Sequence, residues 1–486
     1  MAFIGRDEHL RRLDQLLTRA REEGAKPGRA VLIRGRRRVG KSSLVEVFVE
    51  RVDVPHLFFA ATGRPVKDEL RLFAQEAADS NLPGADLFND VQLESWDAAL
   101  RLLNSAVGDA GSIVVFDEMP YLIAADPDFE GTLQRAFDRD LSRRKCLLIG
   151  IGSDIAVMEA LNTYGRPFYQ RATEIVVPPL TPAEVGAMLN LDAADAFDAY
   201  LVTGGLPLIC DEWPPGLSLW EYLEEALSHP TSALLVSAER SLAAEFPQDV
   251  QARLVLGTIG SGERTFTKIA QRSGDLQPGS LNRALKLLVE KRVVAVDQPL
   301  STKTSAKDKR YRIDDTYLRF WLEFLGPYLP EIERGRGDRV LVRIRRSWTS
   351  WRGRAIEPVL HEALDRLGPD VSHTTDGVPG VVGSYWTRTN DPEIDIVVAD
   401  RQAPAKTVVA VGSIKWLETA AFDSHDLAAL LVHRTQLPGA DPDTPLIVIS
   451  RSGCKVDGVT HLGPDDLIAA YRTQIPAPAE PAPTTE

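Results

Sequence analysis

The hydrophobic pattern changes character along the chain, and each change marks a different kind of element. Residues 30–33 (AVLI), 112–116 (SIVVF) and 146–152 (CLLIGIG) are short, nearly unbroken apolar runs. Such runs, ended by glycine or polar residues, predict strands buried on both faces, as in a parallel sheet. Residues 43–52 (SLVEVFVERV) carry helical spacing instead. From 250 onward three short amphipathic segments, near 250–260, 266–273 and 278–290, are separated by glycine-containing turns. The strand-like stretches VVAVD and KRYRIDD then flank a lysine-rich tip, STKTSAKDK. Further on, Tyr317, Phe320 and Trp321 fall within one helical turn of an aromatic-rich stretch, and packing against a neighbouring domain is the expected role. Finally, EIDIVVAD (393–400) and VVAVGSIK (408–415) flank the loop RQAPAKT and are expected to form a hairpin centred near Pro404. That register sets Asp395 opposite Ser413, and the strand period of two puts Lys415 on the same face.

Composition narrows the class. At 486 residues the chain is long enough for about three or four domains. Three cysteines, Cys146, Cys210 and Cys454, stand far apart without CxxC spacing, so neither a disulfide framework nor a zinc knuckle is signalled. No apolar run of about 18 residues occurs, and the charged start MAFIGRDEHLRRL lacks a signal-peptide core. A cytoplasmic protein without membrane spans is expected. The net charge of −13 argues against indiscriminate coating of nucleic acid. Charge is local, however: residues 331–355 carry eight arginines against three acids, and a smaller basic cluster lies at Lys303 to Arg312. Either could meet a phosphate backbone or be a solvated face.

The first apolar run leads into GRRRVGKS, Gly35 to Ser42, and then into the helical segment. Strand, glycine-rich loop and helix are the context a P-loop requires. Backbone N–H groups of Arg36, Arg37, Arg38, Val39 and Gly40, with those of the helix start at Ser43, are expected to cradle phosphates. Lys41 is expected to reach the β- and γ-phosphates and the Ser42 hydroxyl to ligate Mg²⁺. About 75 residues on, the second run ends in Asp117 and Glu118. Asp117 is expected to hold Mg²⁺ and Glu118 to orient and deprotonate the attacking water. The third run ends near Ser153, from where a side chain can sense the γ-phosphate. Beyond it, Arg166 and Arg171 are either surface arginines or a charge-stabilising group offered to a neighbouring subunit.

The three segments after 250 and the flanking strands make a winged helix-turn-helix pattern. In a DNA-reading version the third helix enters the major groove, with Ser280, Asn282, Arg283 and Lys286 as candidates, and Lys307, Lys309 and Arg310 on the wing. The other use of such a module is as a rigid spacer or protein contact.

Together FIGRDEHLRRLDQLL, GRRRVGKS, VFDEMPYL, the YGR stretch and GGLPLI at 204–209 resemble the archaeal-type ATPases, on the AAA+/STAND side of the P-loop NTPases. The resemblance implies that Phe3, Ile4, Gly5 and Arg6 pack beside the nucleotide base. It also implies that Gly205 and Pro207 form a lid motif whose proline contacts adenine. WRGRAIEPVLHEAL, SYWTRTNDPEIDIVVAD and VVAVGSIKW resemble a PD-(D/E)XK, restriction-endonuclease-like domain. In an active version Asp395 and a second carboxylate would hold Mg²⁺, Lys415 would position the water, and Glu357 would take part from the preceding helix. Ser413 stands where that second carboxylate usually is, and Glu393 could partly compensate.

The expected fold class is therefore α/β: a RecA/AAA+-like P-loop core (1–180), a helical lid (181–245), a winged helix-turn-helix (246–318), a restriction-endonuclease-like α/β domain (319–475) and a Pro/Ala-rich tail (476–486). The expected function is an ATP- and Mg²⁺-dependent ATPase whose nucleotide state controls DNA contact and a degenerate nuclease-like domain. The alternative is a STAND-like scaffold that forms nucleotide-dependent homo-oligomers and recruits a protein partner.

Overall fold

The structure is a computed structural model, and it describes residues 4–166, 168–246, 249–303, 308–367 and 380–472. The chain divides into two compact units, one of residues 1–179 with 206–208 and the other of 180–205 with 209–486.

The apolar runs of the first unit form a five-stranded parallel sheet in the order β2-β3-β4-β1-β5. The strands are β1 (Arg29–Arg34), β2 (His56–Ala60), β3 (Ser112–Asp117), β4 (Cys146–Gly152) and β5 (Ala172–Val176). Parallel pairing needs crossovers, and helices such as Lys41–Val52, Val66–Asp79 and Trp96–Ala106 supply them. With helices on both faces, β3 and β4 are wholly buried. An aromatic cluster of Phe59, Phe73, Trp96, Phe116 and Phe129 packs under β3, with ring centroids 5.0 Å apart for Trp96 and Phe129. It fixes the height of the strand that ends at Asp117. Because β4 lies between β1 and β3, the residues that follow these three strands meet along one edge. Such an edge, at the carboxyl ends of parallel strands, is where ligands bind in open α/β sheets.

In the second unit, helices Pro182–Leu189, Ala193–Thr203, Leu219–Ser228 and Ala233–Glu245 come first. Helices Val250–Gly260, Phe266–Arg272 and Pro278–Glu290 follow, within a residue of the predicted segments, and lead to the antiparallel pair β6 (Val294–Asp297) and β7 (Arg310–Ile313). Tyr317 and Trp321 pack backward: the Tyr317 hydroxyl donates to the Leu234 carbonyl at 2.7 Å and the Trp321 indole N–H to Leu235 at 2.8 Å. Phe320 meets Trp348 and Trp351 of the long helix Gly337–Arg366.

That helix precedes a second five-stranded sheet, in the order β12-β11-β10-β9-β8. Its strands are β8 (Val381–Trp386), β9 (Glu393–Ala399), β10 (Val408–Lys415), β11 (Leu446–Ser450) and β12 (Thr460–Leu462). β8, β9 and β10 pair antiparallel, whereas β10, β11 and β12 run parallel. Helix Ser424–Gln436 carries the chain from β10 to its parallel neighbour β11.

The first residues of the loop between β6 and β7 are anchored in the second sheet. Leu300, 3% exposed, belongs to the apolar core of this second sheet with Ile394, Val397 and Val448. Backbone bonds hold it there: Leu300 N–H donates to the Ser384 carbonyl at 2.9 Å and Ala405 N–H to that of Ser301 at 2.9 Å. Arg310 also turns inward, with a guanidinium 4.3 Å from the Trp386 ring and bonds to Glu393 (2.6 Å) and Asn390 (2.7 Å). The expectation of Arg310 as a wing contact is thereby corrected, because both its terminal nitrogens are engaged by Glu393 and Asn390.

Deeper in this unit lies an ion network. Arg352 is fully buried and donates to Asp198 at 2.8 Å, and Arg451 donates to the same carboxylate oxygen at 2.7 Å. Burial pushes the Asp198 carboxyl up from its ordinary range, against the pull of the two arginines.

Candidate functional site

The P-loop geometry begins with two glycines. Gly35 has no room for a side chain: a Cβ would lie 2.2 Å from the Val177 carbonyl oxygen, beyond β5. Gly40, at φ 84, adopts the left-handed backbone that starts helix Lys41–Val52, as glycine does most readily. Lys41 is 6% exposed and donates to the carbonyls of Gly35 (2.9 Å) and Arg36 (2.8 Å). Burial lowers its pKa to about 8, with Glu118 and Asp117 pulling the other way and Arg37 adding to the drop.

Across the site, the Ser42 hydroxyl donates to Asp117 at 2.6 Å, and Asp117 in turn accepts from the Glu118 N–H at 2.8 Å. Glu118 holds a left-handed backbone at φ 52, which turns its side chain off the line of the strand. Ser153 donates to the Glu118 carboxylate, 2.9 Å from each oxygen. Ser42, Asp117, Glu118 and Ser153 thus form one hydrogen-bonded group, and Lys41 lies near enough for the charges of Glu118 and Asp117 to act on it. A hydroxyl bonded to a buried carboxylate, with a lysine beside it, is a donor set that suits Mg²⁺. That ion takes one or two protein oxygens and completes its shell with water and phosphate. Ser42 and Asp117 would hold it, and it would neutralise phosphate charge there.

Other predicted residues sort as follows. Phe3 and Lys307 lie outside the described residues. Arg6 is 3% exposed, and its guanidinium donates to the carbonyls of Val39 (3.0 Å) and Pro178 (2.7 Å). It therefore braces the P-loop from behind. Gly205, at φ 65, has no space for a Cβ, which would sit 2.0 Å from the Leu180 carbonyl oxygen. Pro207 stands by the P-loop, its Cγ 3.8 Å from where a Gly40 Cβ would be. Arg166 pairs with Glu130 at 2.5 Å and Arg171 with Asp138 at 2.9 Å. Asn282, Arg283 and Lys286 are exposed on helix Pro278–Glu290, with Ser280 half-buried, while Lys309 is exposed beside β7.

At the C-terminal hairpin the pairing of Gly412 with Ile396 sets the register that brings Asp395 to Ser413. Asp395 accepts from the Ser413 hydroxyl (3.0 Å) and the Ile414 N–H (2.9 Å). Lys415 pairs with Asp426, which the N-terminal capping box of helix Ser424–Gln436 holds in place. Glu393 pairs with Arg310, so its expected compensating role is corrected as well. Glu357 is pushed up to about 7 by burial and by Asp395, while Arg264 and Arg319 oppose the shift. Among the described residues, no group of three or more His, Cys, Asp or Glu converges to hold a metal ion.

Two participants escaped sequence reasoning. Tyr121 accepts from Arg37 at 3.0 Å, and its spacing one helical turn past Asp117 could have found it. Asp426 gave no such signal, since its link to Lys415 depends on the turn between strand and helix.

Comparison with known proteins bears on the class of the first domain. Residues 2–150 match the family model described as AAA ATPase domain, so the chain carries a domain of that class. Residues 321–426 match a model described as archaea bacterial proteins of unknown function. The uncharacterized protein MJECL04 of Methanocaldococcus jannaschii is 25% identical over 445 residues, covering 90% of this chain and 93% of that one. Among solved structures, the Walker-type ATPase paby2304 of Pyrococcus abyssi is similar at 20% identity and TM-score 0.46, over 66% of this chain and 96% of that one. The Aeropyrum pernix ORC2 protein in its ADPNP–ADP complexes is similar at 13% identity and TM-score 0.43, over 70% and 95%. No described helix is long and apolar enough to cross a membrane.

Proposed function

We propose that the chain hydrolyses ATP with Mg²⁺ and uses its nucleotide state to govern contact with duplex DNA through helix Pro278–Glu290. The observation that carries the first half is the hydrogen-bonded group of Ser42, Asp117, Glu118 and Ser153 with the buried Lys41 beside it. Lys41 binds the terminal phosphates and Glu118 takes the proton of the attacking water. Ser153 holds the Glu118 carboxylate until a phosphate competes for its hydroxyl.

For the second half, three helices and a two-stranded ribbon have the order of a winged helix, with Asn282, Arg283 and Lys286 exposed on the third helix. The engagement of Leu300 and Arg310 elsewhere supports a mode in which that helix, rather than the ribbon, meets the groove. The C-terminal sheet, antiparallel from β8 to β10 and parallel from β10 to β12, supports reading it as a restriction-endonuclease-like core in which Asp395 would be the acid. With Ser413 in place of a carboxylate, Glu393 bound to Arg310 and Lys415 bound to Asp426, the reading is a fold retained without strand cleavage.

The test is steady-state ATP hydrolysis by wild type and Glu118→Gln, with and without duplex DNA, together with DNA-binding anisotropy of Arg283→Ala/Lys286→Ala. Hydrolysis that needs Mg²⁺ and Glu118, and DNA affinity that falls in the double variant with a shallower salt slope, are expected. Equal rates in wild type and Glu118→Gln would end the first half, and unchanged DNA affinity the second. A STAND-like scaffold is the second reading, favoured by Pro207 beside the P-loop with Gly205 pinned to Leu180. Chromatography in ATP against ADP tests it, since such a scaffold changes its assembly state.

A further inference from the structure

The P-loop holds three consecutive arginines, and one of them is led across the site. Arg37 donates from Nη2 to the Tyr121 hydroxyl at 3.0 Å, with its guanidinium 6.0 Å from the Tyr121 ring centroid. Tyr121 is itself fixed. It sits in helix Met119–Ala125, which begins immediately after Glu118, and its ring is packed on Gly63, where a Cβ would lie 3.5 Å from Tyr121 Cγ. Arg37 thus leaves the loop that carries Lys41 and ends at the helix that directly follows Asp117 and Glu118.

A γ-phosphate held by Lys41 and faced by the water of Glu118 must lie between those two sides. We propose that Arg37 is a catalytic arginine supplied in cis, whose guanidinium contacts the γ-phosphate of ATP bound to its own chain. This rests on the hydrolysis reading above. In the step, the water oxygen forms a bond to the γ-phosphorus as its proton passes to Glu118. The bond from γ-phosphorus to the bridging oxygen breaks, and the electron pair stays on ADP. Negative charge grows on that bridging oxygen and on the phosphoryl oxygens, and a planar guanidinium matches it with paired donors. The Tyr121 contact positions the guanidinium without neutralising it. Arg166 and Arg171, read from the sequence as surface arginines or as a group offered to a neighbour, pair with Glu130 and Asp138.

The experiment is steady-state ATP hydrolysis by the full chain as wild type, Glu118→Gln, Arg37→Ala, Arg37→Lys and Tyr121→Phe. Each variant is first checked for a wild-type rise in Tm with ADP. Arg37→Ala is expected to lose about 10²-fold or more in kcat, with KM for ATP within about threefold, as loss of an arginine that acts on the transition state predicts. Arg37→Lys is expected to recover little of that, and Tyr121→Phe to lose about three- to tenfold, since a positioning bond is removed and the charge is kept. Activity per molecule is expected not to vary with protein concentration. Should Arg37→Ala not fold, Arg37→Lys and Tyr121→Phe carry the same test. A kcat for Arg37→Ala within threefold of wild type overturns the proposal while hydrolysis stands. So does recovery of activity on mixing Arg37→Ala with Lys41→Ala, which would place the arginine in trans. If wild type is no faster than Glu118→Gln, the hydrolysis reading falls, and this one with it.

Discussion

Lys41 shows how a single buried charge sets the working range of a site. Its pKa, lowered to about 8 by burial, leaves the ammonium protonated at neutral pH and neutral above that value. Bound phosphate favours the protonated form, so nucleotide binding above pH 8 must take up a proton. The dissociation constant for ADP is therefore expected to stay level from pH 6.5 to 7.5 and then to rise about tenfold per unit above pH 8, by one-proton linkage. Titrations by intrinsic fluorescence between pH 6.5 and 9.5 would show it, and a flat curve would contradict it. Residues of this kind were legible in the sequence because Gly35 to Ser42 are contiguous and the loop chemistry is local. Arg6 was only half legible. Its motif pointed to the nucleotide, but its acceptors, Val39 and Pro178, come from opposite ends of the unit and depend on the fold.

Elements were predicted well where one face is buried and poorly where the decisive contact comes from a loop. The apolar runs became β1, β3 and β4, and the amphipathic segments after 250 became three helices with nearly the expected limits. The hairpin register of β9 and β10 followed from alternation, since slipping by one residue would turn Asp395 and Ser413 to opposite faces. Leu300, by contrast, stands in QPL, a turn-like stretch that reads as solvent-exposed. Its burial comes from the second sheet, which no local pattern encodes. Leu300→Ala is expected to destabilise the second unit by about 2–5 kcal/mol, the usual range for a leucine truncated in a packed core. Urea unfolding followed by tryptophan fluorescence checks this. A change below about 0.5 kcal/mol, the size of a typical surface substitution, would mean that the loop is not anchored there.

At the scale of the whole molecule, the second unit draws together stretches that the sequence suggested were separate domains. Asp198, on a helix expected in the lid, is gripped by Arg352 from the long helix and by Arg451 beyond β11. Nothing in the spacing of these three residues announces the group, because a buried ion pair leaves no periodicity. Removing one partner strands the others in low dielectric. Arg352→Ala is thus expected to cost about 3–5 kcal/mol, and Arg352→Met less, since an apolar side chain fills the volume without adding an unpaired charge. Equilibrium denaturation of both variants gives the comparison, and a loss under about 1 kcal/mol for Arg352→Ala would remove the network from the list of what holds this unit together. The two family matches, at 2–150 and 321–426, leave Asp198 and Leu300 outside both.

The seat of Leu300 among Ile394, Val397 and Val448 bears on inheritance as well as on folding. A helix-and-ribbon module that lends a side chain to its neighbour's core is not a detachable cassette. A gene fusion cut near residue 318 would leave one fragment with a bare leucine and the other with a hole. Module and sheet therefore stand or fall together as one folded piece.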